Sequence, residues 1–244
     1  MNSKRGFTLI EVSLFLAITG LIFLGVTVGV SNSIAQQRNN DAVQSFAEFL
    51  RKVYSDVTNV QNNIGGGKTE KAIYGKLAVF RDGGRKIELY NVIGNIGSVS
   101  HNDTLESLKS LRVNIFDCDS SGCSKMAGIV EMFTSKWSSR IEQVALDKPY
   151  TGALLIVRNP KSGSVFTYVG DDANIEIGAD GVGTQDFLTK EIEKFKIKEA
   201  NFCVNPNGEG SYSRRFNVRL VKNARNSSGI EIFSPESEDN QCEK

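Results

Sequence analysis

Histidine is nearly missing from this chain: His101 is the single one among 244 residues. Hydrolases built on serine or cysteine need an imidazole beside the nucleophile, and histidine-based metal centres need several, so these chemistries lack their parts. An excess of either charge is missing too. Lys and Arg total 29 against 28 Asp and Glu, a formal net charge of +1, so any electrostatic partner must be met by a local patch. Proline is scarce: there are four, and none falls between residues 7 and 63. The absences argue against an enzyme and leave the start of the chain free to run as uninterrupted helix. What is present is ordinary for a folded protein, 40 % apolar and 23 % charged residues, with no bias toward disorder.

The apolar residues are not evenly spread. MNSKRGFTLIEVSLFLAITGLIFLGVTVGV opens the chain, and its 24 residues from Phe7 to Val30 hold one charge, Glu11. As a helix that stretch runs about 36 Å at 1.5 Å per residue, enough for a hydrocarbon layer of roughly 30 Å. Lys4 and Arg5 precede it and the next cation is Arg38, which keeps the leader in the cytoplasm and exports the rest. The apolar run is too long for a cleaved secretory signal and has no small-residue cleavage site after it. A carboxylate at the centre of a bilayer costs about 2.5 to 3.5 kcal/mol, less near the end where Glu11 sits, and such groups have partners. Gly25 and Gly29 stand four apart, a spacing that lets helices approach closely in lipid.

Lys4, Arg5, Gly6, Phe7, Thr8, Leu9, Ile10 and Glu11, in that order before a membrane-length apolar run, resemble the prepilin N-terminus of the type IV pilin superfamily. The resemblance is close over roughly the first 30 residues and extends to the rest only in general plan. It implies that a prepilin peptidase cuts after Gly6, that the new N-terminal Phe7 is methylated, and that Glu11, the fifth mature residue, meets the terminal amine of a neighbouring subunit. Many of these proteins carry Pro at the twenty-second mature residue. Here that position is Val28, so no proline kink is expected.

Past Val30 the sequence turns polar but keeps helical spacing. Val43, Phe46, Ala47, Leu50, Val53, Tyr54 and Val57 form an apolar stripe, with Glu48, Arg51, Lys52 and Asp56 mostly opposite. The expectation is one helix over 7–63, membrane-spanning over 7–30 and amphipathic over 31–63, stopped by Gly65, Gly66 and Gly67. That glycine run, in IGGGKT, is not a phosphate loop. The pattern needs glycine where Asn62 stands, and a strand before it. Residues 64–244 read as a β-rich head: KAIYGKLAVF and RKIELYNVI flank Asp82-Gly83-Gly84, good hairpin chemistry, followed by LRVNIF, AGIVEMF, RIEQVAL, GALLIVRN, SVFTYVG, NFCVN, RFNVRLV and GIEIF. Short helices are expected at DTLESLKS and around QDFLTKEIEKFK. The fold class is α+β, a long N-terminal helix packed on an antiparallel sheet, as the resemblance also implies.

Cys118, Cys123, Cys203 and Cys242 all lie on the exported side, where an even number favours disulfides over metal or catalysis. Three pairings are open. The preferred one joins Cys118 to Cys123 across a small turn and Cys203 to Cys242, the latter worth roughly 4 kcal/mol by chain entropy. Asp171, Asp172, Asn174, Glu176 and Asp180 crowd a glycine-rich stretch, but without the spacing of a calcium loop, and are read as a solvated loop. Neither metal nor cofactor is expected. Between Ser211 and Gly229 stand Arg214, Arg215, Arg219, Lys222 and Arg225 and no anion. As a strand, 215–221 sends Phe216, Val218 and Leu220 inward and Arg215, Asn217 and Arg219 outward, a basic face able to track phosphates. The competing reading is an edge strand protected by its charges, or paired with the acidic tail Glu236, Glu238 and Asp239.

The expected function is a non-enzymatic structural subunit, a minor pilin or pseudopilin of a type IV pilus, competence pilus or type II secretion-like filament. The alternatives are a DNA-binding minor pilin for DNA uptake and a single-pass anchored domain that does not polymerise. The expected partners are other pilin or pseudopilin subunits, the prepilin peptidase, an inner-membrane assembly platform and membrane lipid, with DNA in the first alternative. The protein is expected to sit in the cytoplasmic membrane before assembly, with its head outside the cytoplasm, and afterwards in a surface or periplasmic filament.

Overall fold

The computed structural model describes residues 8–59, 71–95, 112–114, 117–119, 122–124, 129–144, 148–159, 162–170, 192–206 and 215–242. The chain divides into two compact units, Met1–Asp41 and Ala42–Lys244, and helix α1 (Leu9–Thr58) has residues in both.

In the first unit, Leu9–Thr27 is long and apolar enough to cross a membrane, and none of it is buried. Phe15 is 68 % exposed and Phe23 70 %. The hydroxyls within this stretch stay on the helix: Ser13 Oγ donates to the Ile10 carbonyl at 2.9 Å, Thr19 Oγ1 to Phe15 at 2.7 Å, and Thr27 Oγ1 to Phe23. Such back-bonds satisfy polar groups where no water can.

In the second unit the stripe expected from spacing is buried throughout, and Phe49 widens it. The helix stops at Thr58, short of the expected residue 63, and Arg158 Nη1 donates to the Thr58 carbonyl at 2.8 Å, satisfying one of the orphan acceptors of the last turn. The glycine run 65–67 and the expected helix DTLESLKS lie outside the described residues.

The helix packs on strands of two antiparallel sheets. The seven-stranded sheet has the order β10 (Phe195–Lys196), β9 (Val165–Gly170), β8 (Ala153–Arg158), β1 (Lys71–Arg81), β2 (Lys86–Asn95), β3 (Arg112–Asn114), with β6 (Ile129–Thr134) also pairing with β2. The four-stranded sheet runs β13 (Ile230–Phe233), β12 (Phe216–Leu220), β11 (Ala200–Asn205), β7 (Arg140–Gln143), and β4 (Asp117–Asp119) pairs with β5 (Gly122–Ser124). Alternation sends Ala78, Phe80, Ile87, Leu89, Leu154 and Ile156 toward the helix. The other face of the large sheet is buried as well, at Leu77, Val79, Val92 and Leu155. Both sheets meet in one core around Phe46, whose ring lies 5.6 Å from Phe202 and 6.3 Å from Phe80, both edge-on.

The β1–β2 turn falls on Asp82-Gly83-Gly84, all at positive φ. Glycine is required at 84, since a Cβ there would lie 2.1 Å from the Ile141 carbonyl oxygen. Tertiary pairing overrides one expectation. The described end of QDFLTKEIEKFK is a 3-10 turn, Ile192–Lys194, and then strand β10, rather than α-helix. Phe195 pairs with Gly170 and is buried against it, a contact the helical spacing could not offer.

Candidate functional site

The first site is the start of α1. Thr8 precedes the helix, and its backbone N–H and its hydroxyl both donate to Glu11 Oε2 at 2.9 Å, while the Glu11 N–H donates to Thr8 Oγ1 at 3.3 Å. This is a reciprocal capping box. The carboxylate that sequence alone leaves waiting for a neighbour thus has partners within its own chain. Its signal in the sequence is the T-x-x-E spacing of Thr8 and Glu11. Gly6 and Phe7 lie outside the described residues. Gly25 and Gly29 are both helical, and a Cβ on Gly25 would meet nothing within 4 Å, which leaves that surface open to another helix.

The second is the C-terminal strap. Cys203 on β11 is joined to Cys242, with Cα atoms 5.5 Å apart. Asn240 holds the strap from inside: its side-chain amide donates to the Arg215 carbonyl at 2.8 Å and the Ser234 carbonyl at 2.9 Å, and its Oδ1 accepts from the Cys242 N–H at 2.8 Å. Cys118 stands directly opposite Cys123 in the β4–β5 register; their side chains lie outside the described residues.

The basic run is arranged differently from the sequence reading. β12 is an inner strand, with β11 on one side and β13 on the other. Asn217 does not face solvent: it is fully buried and donates to Asn201 Oδ1 at 3.1 Å. Arg215 reaches the buried Glu142 at 3.4 Å, a carboxylate that also accepts from Arg140 Nε at 2.8 Å and from Asn205 at 3.2 Å. Arg219 Nε donates to Glu231 at 2.8 Å and its guanidinium lies 4.5 Å above the Phe233 ring. The bond to Glu231 holds Arg219 above its ordinary value, with the charges of Glu231, Glu199 and Asp239 adding to it. So the outward basic face is neutralised. Glu231 comes from the neighbouring β13 and Glu142 from β7, two strands away, partners that spacing within one segment cannot show. Lys222 and Arg225 are exposed in the β12–β13 loop, and Arg214 and the acidic loop 171–186 lie outside the described residues.

Where helix meets sheet, Lys52 Nζ binds both oxygens of Glu131 at 2.8 and 2.7 Å. Lys76 is buried beside them, and that burial holds it below its ordinary value, with Asp56 and Glu131 partly restoring it. Tyr54 donates to Thr167 Oγ1 at 2.6 Å, and Thr167 donates onward to the Ala224 carbonyl at 2.9 Å, tying helix, sheet and loop together. Among the described residues no group of three or more His, Cys, Asp or Glu is arranged to hold a metal.

The chain thus opens on a capped glutamate at the head of an exposed helix long and apolar enough to cross a membrane. Residues 1–27 match the family model described as the prokaryotic N-terminal methylation motif, the prepilin-type cleavage and methylation motif of type IV pilin-like proteins. That motif is the one carried by type IV pilin-like and pseudopilin precursors, which prepilin peptidase processes. No curated protein and no solved structure matches the chain.

Proposed function

We propose that the chain is a non-enzymatic structural subunit, a minor pilin or pseudopilin of a type IV pilus, competence pilus or type II secretion-like filament. The observation that carries this reading is the exposed apolar helix Leu9–Thr27 whose one carboxylate, Glu11, is held by Thr8 at its very start. Cleavage after Gly6 places a positive amine on Phe7. In the membrane Thr8 satisfies Glu11; in the filament the carboxylate turns to the amine of the adjoining subunit, and the ion pair offsets its desolvation. The helix then exchanges lipid for the helices of neighbours, with Gly25 admitting close approach.

Mass spectrometry of the membrane form tests processing: a mature terminus at methylated Phe7 is expected, and an intact Met1 would leave a plain anchored domain. Glu11→Ala is expected to be processed and retained in the membrane but to enter filaments poorly. Unchanged incorporation would sink the assembly role. DNA uptake is the weaker reading, since of the basic run only Lys222 and Arg225 stand exposed among the described residues, Arg215 and Arg219 being paired with Glu142 and Glu231.

A further inference from the structure

The head carries two surface patches that complement each other and cannot meet within one chain. The first is at the β6 corner. β6 pairs with β2 alone among the described strands, and Val130 and Met132 on its outward face are each 47 % exposed. Three residues after β6 comes Trp137, 51 % exposed, and both Trp137 and Ser138 hold left-handed backbone, φ 57° and 60°. Two consecutive non-glycine residues in that region store strain of the kind found at functional surfaces. The Ser135 N–H donates to the Arg85 carbonyl at 2.8 Å, which brings the β1–β2 turn alongside. Nearby Lys86 is paired with Asp82 and Arg81 with Glu88, while Arg85 and Lys136 remain exposed, so the corner is apolar with a positive margin.

The second patch is acidic. Around the single guanidinium of Arg219 lie the carboxylates of Glu231, Glu199 and Asp239, and Glu236 stands exposed on the strap close by in sequence. Phe233 on β13, partly exposed beneath the Arg219 guanidinium, supplies apolar surface there, while Ile232 on the opposite face of the strand packs on the core.

The two patches sit at opposite edges of one sheet. Trp137–Ser139 leads directly into β7, which is one edge of the four-stranded sheet, and β13 is the other, with β11 and β12 between them. Three strand spacings separate the edges by about 14 Å. At opposite edges of the sheet the two patches cannot both face one partner across a two-fold axis, and a two-fold contact at the corner alone would set basic against basic. A head-to-tail contact sets opposite charges together, buries exposed apolar groups on both sides, and does not close, which is the interface type that builds open helical assemblies.

We infer that adjacent heads of this protein associate head to tail, the Trp137 corner of one copy against the acidic β13 and strap face of the next. The setting in which copies meet rests on the filament reading above; the contact itself rests on these two patches. An exposed Met and Val beside the Trp favour a protein partner over nucleic acid, which would require a more uniformly basic, stacking surface.

The test uses the full-length chain in membranes with a photo-crosslinking residue at the exposed β6 position, Thr134→p-benzoylphenylalanine, and two tagged copies. Cross-linked dimers joined to a peptide within 230–242 are expected. Reversing the corner (Arg85→Glu with Lys136→Glu) or the strap (Glu236→Lys with Asp239→Lys) should each lower the yield about tenfold. Coexpressing the two reversed forms should restore dimers, and only between unlike copies. That rescue separates lost contact from lost folding. Yields untouched by both reversals, or cross-links to a different protein or to nucleic acid, would overturn the inference. Methylation at Phe7 and Glu11-dependent incorporation report on the filament reading separately: a cross-link lost while both persist removes only the head contact, and a cross-link kept without processing removes only the filament.

Discussion

From Thr8 to Thr27 every hydroxyl and the one carboxylate find partners on the same helix, within four residues, while the apolar side chains find none. The head reverses this. Most of its apolar groups are enclosed, and polar groups there find partners across the fold, as Tyr54 does in Thr167 at a separation of 113 residues. Local hydrogen bonding lets an element exist in any apolar surroundings; distant hydrogen bonding requires one particular fold. One unit thus leaves its apolar surface open, and the other encloses most of its own.

The contrast breaks most sharply in the head's core. Phe46→Ala should cost about 4 to 5 kcal/mol, read as a lower denaturant midpoint in detergent, because the cavity opens where both sheets meet the helix. Phe15→Ala, at an exposed site, should leave that midpoint unchanged. Opening the strap by Cys203→Ala should cost about 4 kcal/mol on the chain-entropy estimate, again without affecting membrane residence.

Lys76→Met sharpens the point about distant partners. Burial holds Lys76 below 10.5, so the unfolded chain keeps the proton to higher pH than the folded one, and folding of the natural protein gains stability as pH rises through the window below 10.5. The Met variant should therefore be more stable near neutrality by about 1.5 kcal/mol, with the advantage shrinking in alkaline buffer. A constant difference across pH would show that packing, and not the buried charge, sets the effect. The smallest change is expected at the helix start: Thr8→Val removes the capping hydroxyl, loosens the first turn by about 1 kcal/mol, and, by weakening the hold on Glu11 that filament entry must release, should leave entry the same or slightly higher while head stability stays the same.

Elements with strong local periodicity could be read directly. The stripe Val43 to Val57 is buried as spaced, and the ten strand segments named from sequence each contain a strand. The Asp82-Gly83-Gly84 turn follows from local chemistry, and the Cys203–Cys242 link is the preferred one of the three pairings the sequence leaves open. What escaped depended on partners far along the chain. Arg215 was read as outward because its partner, Glu142, lies 73 residues earlier, and nothing in RFNVRLV says that β12 is flanked on both sides. The Thr8–Glu11 box is the opposite case, a local T-x-x-E pattern whose partners lie three residues apart.

The back-bonded hydroxyls of Ser13, Thr19 and Thr27 bear on how such a helix can leave a bilayer. Moving it from lipid into a bundle of like helices exchanges one hydrocarbon solvent for another, and none of those three bonds is broken or remade on the way. The transfer is then close to neutral for everything except Glu11, so a modest pull suffices and the same path runs backward. On the filament reading proposed above, the subunit is partitioned between two apolar phases, and the single carboxylate is the tag by which one phase recognises it.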